Sequence, residues 1–192
     1  LDADKEYVAD VRLGVTTTTG DAEGEVLETR AVDFDDAALA AALASLRGEI
    51  SQVPPMYSAL KRDGRPLYEY ARAGIDVDRA PRRVTIHALE VLARDTASLR
   101  VRIACSKGTY VRVLAEDLGR ALGCGAHLAG LRRTRVGGVG IEGATTPERL
   151  EALDEPRRDA LLGPADATGG VRPRRLVRGD APENLAKGPD SE

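Results

Sequence analysis

Between Cys105 and Gly119 the chain reads CSKGTYVRVLAEDLG, with Lys107, Tyr110 and Arg112 clustered at one point. Before that point Val101 to Cys105 alternate as a strand does. After it Leu114 and Leu118 recur at helical spacing. A side chain at a strand-to-helix junction stands at the rim of a sheet, and the free N–H groups of the first helical turn favour an anion nearby. An arginine there can grip a carboxylate or phosphate through two parallel bonds, and a tyrosine beside it offers a flat face and a hydroxyl. These are parts for a nucleobase or nucleotide site. The same residues could equally be a core aromatic and a surface ion pair, and this stretch alone leaves both readings open.

Other chemistries lack their residues. The two histidines and two cysteines, Cys105 and Cys124, have no zinc or redox spacing, so metal chemistry is not expected. No glycine-rich phosphate loop follows a strand, and no nucleophile elbow is present. No apolar run reaches the ~18 residues of a membrane span, and the polar N-terminus does not read as a signal peptide, so a cytoplasmic protein is expected.

The elements that must position the junction follow from periodicity. The segment YVADVRL places Tyr7, Ala9, Val11 and Leu13 on one strand face, closed by Gly14. Asp35 or Asp36 can cap a helix carrying Leu39, Leu43 and Leu46, with Gly48 expected at its C-terminal end. Residues 52–66 read as a loop through Pro54-Pro55 and Asp63-Gly64, and 67–73 as a short helix closed by Gly74. Residues 82–94 and 99–105 read as strands joined by a hairpin near Asp95. A helix is expected from Gly108 to Gly123, then a turn of helix in GCGAHLAGLRR, a strand over 134–141, and a short charged helix opened by Pro147. Without regular βαβ alternation, the expected class is α+β around a mainly antiparallel sheet flanked by helices.

The 192 residues carry a net charge of -3, which argues against a protein coated in positive charge. The charges are segregated, however. Acidic residues gather at 21–28 and 33–36, basic ones at 61–65, 79–83, 132–135 and 172–178, which permits a basic face. Beyond 163 the composition turns to Gly, Pro, Arg and Asp, and 164–192 is expected to be a disordered tail.

Three blocks in order, KEYVADVRLGVTTTTGDAEGEV, QVPPMYSALKRDGRPLYEYARAG and CSKGTYVRVLAEDLGRALGCGAHLAGLRRTRVGGV, closely resemble the bacterial TruB family of tRNA pseudouridine synthases. The resemblance implies an incomplete catalytic domain over 1–147, followed by the charged helix and connector over 148–163 and the tail. It implies isomerisation of a T-loop uridine of tRNA to pseudouridine, without cofactor or metal, by a protein that is monomeric when complete. The base must leave the RNA stack, at a cost of a few kcal/mol.

By that resemblance Tyr7 would stack on the flipped uracil, an interaction worth roughly 1–3 kcal/mol, and would take part in the closing proton transfer. Tyr110 and Leu131 would line the pocket, and Arg112 would pair with the catalytic aspartate. Lys61, Arg62, Arg65, Lys107, Arg132 and Arg133 would face RNA, with Tyr57, Tyr68 and Tyr70 available for packing or stacking. The family's nucleophilic aspartate belongs to a block resembling GHxGTLDP, which this sequence does not contain. The expectation is therefore an N-terminally truncated chain, also lacking a full C-terminal RNA-binding domain and inactive by itself. The alternative is a noncatalytic module that binds tRNA and helps it fold.

Overall fold

The computed structural model describes residues 3–154 and 156–157. They fall in two units, one running to Ala144 and a second from Thr145. The expected tail over 164–192, with the arginines of 172–178, lies outside the described residues.

The first unit is built on a six-stranded sheet in which every pairing is antiparallel. Its strands are β1 (Lys5–Leu13), β4 (Gly48–Gln52), β7 (Arg82–Asp95), β8 (Ser98–Cys105), β9 (Ala126–Val136) and β10 (Val139–Gly140), in the order β10-β9-β1-β8-β7-β4. Two small hairpins stand apart, β2 (Val15–Thr17) with β3 (Val26–Thr29) and β5 (Lys61–Arg62) with β6 (Arg65–Pro66). The helices are α1 (Asp36–Ser45), α2 (Leu67–Arg72) and α3 (Val111–Ala121). The expected α+β class and antiparallel sheet are what the structure contains.

The alternation in β1 and β8 divides the sheet into two unlike faces. Ala9, Val11, Leu13, Leu99, Val101, Ile103 and Cys105 are buried on one face, where α1 contributes Leu39 and Leu43 and α3 contributes Val111, Leu114 and Leu118. The other face carries charge in cross-strand pairs. Asp10 meets Arg100 at 2.7 Å, and Arg102 bridges Glu6 at 2.9 Å and Glu90 at 2.6 Å. One face packed and one solvated is the usual antiparallel arrangement.

Helix α1 starts where Asp35 accepts a hydrogen bond from the Ala38 N–H at 2.7 Å. It ends at Leu46, and Gly48 turns the chain into β4, an edge strand whose sequence, GEISQ, has too little apolar alternation to be expected. The loop expected over 52–66 contains the β5–β6 hairpin. Its turn residues Asp63 and Gly64 both have positive φ, 49° and 78°, the conformation an Asp-Gly hairpin turn requires.

Two expectations fail. The strand expected over 134–141 is instead the end of β9, a turn at Gly137 and Gly138, and the two-residue β10. GCGAHLAGLRR, expected as a turn of helix, lies largely in β9, which runs unbroken from Ala126 to Val136 against the whole of β1. A register shift opposite Asp10 and Val11 inserts a residue, so the face shared with the core passes from Ala126 and Leu128 to Leu131 and Arg133. That shift breaks the period-two pattern and leaves apolar residues spaced by two and then three. A shift in β7 does the same between Val84, Ile86 and the next inward residue, Leu89.

In the second unit, α4 (Pro147–Glu151) has Pro147 in its first turn and Thr146 as its cap, accepting from the Arg149 N–H.

Candidate active site

The turn between β8 and α3 is fixed from three sides. Ser106 exchanges two bonds with Thr85 of β7: its N–H donates to the Thr85 carbonyl at 2.9 Å, and its Oγ accepts from the Thr85 N–H at 2.9 Å. The Thr109 hydroxyl donates back to the Ser106 carbonyl at 2.9 Å. Tyr110, the N-cap of α3, makes no capping bond with its own side chain, and its backbone is bonded by the buried side chain of Gln52. Arg112 therefore projects from an anchored helical turn.

The guanidinium of Arg112 is held by the loop after β2. Its Nε lies 3.1 Å from Asp21 Oδ2, and its Nη1 donates to the Thr19 carbonyl at 3.1 Å. The loop is itself stitched to β9: the Leu128 N–H donates to the Gly20 carbonyl and the Ala22 N–H to the Leu128 carbonyl, each at 3.0 Å. Asp21 also accepts from the Thr19 hydroxyl and the Glu23 N–H, so carboxylate and guanidinium both sit in a defined geometry. The resemblance assigned Arg112 to a nucleophilic aspartate. In this structure its partner is Asp21, which the sequence marked only as the first residue of the acidic run 21–28.

Tyr7 stands half-buried in β1, opposite Ile103 of β8 and Arg133 of β9. Burial, with Cys105 alongside, holds its phenol above the ordinary value, and a hydrogen bond with Arg133 opposes that only in part. Residues directly opposite on antiparallel strands share a face. Leu131, opposite Ala9, and Arg133, opposite Tyr7, thus lie on the core face with Tyr7. Leu131 is nevertheless 49% exposed, an apolar side chain on the inward face. Tyr7, Leu131 and Arg133 are brought together. Arg132 pairs with Val8 and belongs to the opposite, charged face. Cys105 is fully buried, and burial raises its thiol above the usual range, which suits packing and not nucleophilic attack.

The remaining basic candidates lie on the β5–β6 hairpin and on the turn before α3. Lys61 is exposed in β5, and Lys107 is exposed on the turn before α3. Arg62 donates to the Asp78 carbonyl, while Arg65 pairs with Glu69 at 3.0 Å and lies 4.8 Å over the ring of Tyr70. Tyr68 carries Arg72 over its ring at 5.4 Å. Tyr57 and Tyr68 join Thr19, Asp21 and Arg112 around a cavity of about 240 Å³. A larger cleft of about 540 Å³ adjoins it, lined among others by Gln52, Tyr57, Arg79, Glu116 and Asp117. Among the described residues no cluster of His, Cys, Asp and Glu could hold a metal, and no helix is long and apolar enough to cross a membrane.

Gln52, Thr85, Ser106 and Asp21 were not singled out for the site from sequence. Nothing in their local pattern marks them, because each meets a partner that is distant along the chain.

Two family models match the chain. Residues 1–111 match the TruB family pseudouridylate synthase N-terminal domain, and 112–168 match the tRNA pseudouridylate synthase B C-terminal domain. The protein named tRNA pseudouridine synthase B from Aromatoleum aromaticum is 62% identical over 174 residues, 91% of this chain and 56% of that protein. Its namesake from Cupriavidus metallidurans is 62% identical over 169 residues, 87% of this chain and 54% of that protein. The chain thus spans about half the length of the curated relatives it matches. Among solved structures, one titled a Cbf5-Nop10-Gar1 complex aligns with a TM-score of 0.59 and 28% identity, covering 82% of this chain and 41% of that one. The N-terminal family model alone covers more than half of the 192 residues, and with this degree of identity the chain belongs to the TruB family of pseudouridylate synthases.

Proposed function

We propose that the protein containing this chain isomerises a T-loop uridine of tRNA to pseudouridine, acting as a monomer on the T-arm and using an aspartate nucleophile from outside these 192 residues. In that reaction the bond from the ribose C1′ to N1 of the base breaks, the base turns, and C1′ bonds to C5. A proton leaves C5 and one is taken up at N1, so the atoms balance. The target base is flipped out of the RNA stack to reach the pocket.

Tyr7 stacks on the flipped base and serves the proton transfer, and burial raises its phenol above the ordinary value. Leu131 supplies apolar contact, Tyr110 completes the wall, and Arg112 presents a fixed positive charge where a nucleophilic carboxylate is oriented. Lys61, Arg62, Arg65, Lys107 and Arg133 meet RNA phosphates, whereas Arg132, on the charged face of the sheet, stands outside that surface. The observation that carries the reading is Leu131, an apolar side chain left half exposed on the core face beside Tyr7. A site for a flat, partly apolar ligand needs such a surface.

The test is incubation of the protein, at the length its native cell produces, with a T-arm hairpin, followed by nucleoside analysis. Pseudouridine at one loop position is expected. Tight binding with every uridine unchanged would overturn the catalytic reading in favour of an RNA-binding module.

A further inference from the structure

We infer that Gln52 is a positioning residue for this site: its buried side-chain amide fixes the backbone of Tyr110, and through it the first turn of α3 that carries Arg112. The inference rests on the activity proposed above.

Gln52 is 2% exposed. A buried amide must find partners, and both of these lie on one residue. Its Oε1 accepts from the Tyr110 N–H at 3.0 Å, and its Nε2 donates to the Tyr110 carbonyl at 3.3 Å. Two opposed strand residues exchange bonds in this way. Here a side chain takes the part of the missing strand, because β8 has ended at Cys105 while Tyr110 is still extended, with φ -98° and ψ 102°. The Tyr110 carbonyl also accepts from the Leu114 N–H at 3.1 Å, so both its lone pairs are engaged.

The other end of the clamp is equally placed. Gln52 closes β4, paired with Arg82 of β7, and the next residues, Val53 to Tyr57, enter the segment with Pro54, Pro55 and the exposed Tyr57. One amide therefore joins the root of the proposed RNA-facing loop to the junction that aims Tyr110 and Arg112. Asparagine is one methylene too short to span the gap from the same backbone, and methionine fills the volume without either bond.

Glutamate gives the distinguishing variant. Protonated, its carboxyl copies the amide, accepting from the Tyr110 N–H and donating to the Tyr110 carbonyl. Ionised, it faces that carbonyl without a proton. In single-turnover assays Gln52→Met should lose about tenfold or more in rate while RNA affinity changes less than about threefold, the pattern of lost orientation. Gln52→Glu should regain rate as pH falls, an acid limb absent from the wild type. Should Gln52→Met not fold, the Gln52→Glu profile decides. A readout without catalysis separates this inference from the activity itself: Tyr110 amide exchange should accelerate about tenfold or more in Gln52→Met, with Val101 unchanged. Rates within twofold of wild type in folded Gln52→Met, a flat Gln52→Glu profile, or unaltered Tyr110 exchange would each overturn it. A wild type that forms no pseudouridine while Tyr110 exchange responds would overturn the proposed reaction and leave the clamp.

Discussion

At the scale of single residues, the proposed site divides into groups assigned to the base and groups that hold those groups still. Tyr7→Phe keeps the ring and removes the hydroxyl. If the phenol serves a proton transfer, turnover should fall by about 10²- to 10⁴-fold with T-arm affinity within about threefold of wild type, read by single-turnover assay and filter binding. A variant that turns over normally would reduce Tyr7 to a stacking surface. Arg112→Lys tests geometry and not charge: a lysine ammonium cannot reproduce the fork that meets Asp21 and the Thr19 carbonyl together, so a loss of about 100-fold is expected. Near-normal rates in Arg112→Lys would show that only the positive charge matters. Glu116, in the cleft beside them, carries a different prediction. Burial, then the neighbouring Asp117, raises its carboxyl above the usual 4.5, against the opposing pull of Arg120 and Arg112. A raised folded value means that stability is whole below the unfolded value and is lost as pH rises through the folded one. Glu116→Gln should therefore melt higher than wild type at pH 7 and equally at pH 4, with about 2–4 °C for each kcal/mol relieved. An equal difference at both pH values would contradict this.

At the scale of elements, what the sequence made legible was local. β1, α1, the β7–β8 hairpin and α3 were readable because the signals that make them lie within a few residues: alternation in YVADVRL, the Asp35 cap, the spacing of Leu114 and Leu118. β9 was misread because the inserted residue near Ala129 destroys its alternation, and because its partner β1 lies more than a hundred residues earlier. β4 was missed as an edge strand with a single large apolar residue, Ile50. For the site, the Tyr110 and Arg112 junction was visible as a change of period, whereas Asp21 and Gln52 were not, since their roles exist only after distant backbone has come together. One residue shows how tightly these elements fit. A Cβ added at Gly119 of α3 would lie 2.2 Å from the Ala126 nitrogen of β9. Helix and strand touch through bare backbone at the start of the strand that carries Leu131 and Arg133. Gly119→Ala should cost about 1–3 kcal/mol or more by overpacking, against the small gain alanine brings to an ordinary helical position. A chemical denaturation midpoint equal to or above wild type would show that the contact can relax.

Across the whole molecule, the question is how a chain of net charge -3 meets an anion as dense as RNA. On the sheet's outer face two arginines are spent on strand neighbours: Arg100 on Asp10, and Arg102 on Glu6 and Glu90. Ion pairs between exposed groups add about 0–1 kcal/mol to stability, but each already occupies the cation that a phosphate would need. Among the described residues, the cationic surface of the proposed RNA interface is the β5–β6 hairpin and the rim around α3, and even there Arg65 is shared with Glu69 and Tyr70. Lys61, exposed at the start of that hairpin, is the clearest phosphate contact in the proposed interface. Each phosphate contact releases counterions, so its removal lowers the slope of log affinity against log salt by about 1. Lys61→Ala should show that decrease with a T-arm hairpin, while Arg100→Ala, on the paired face, should leave the slope where it was. Equal decreases in both would mean that RNA reaches the charged face of the sheet, and the ion-pair ladder there would have to open as the complex forms.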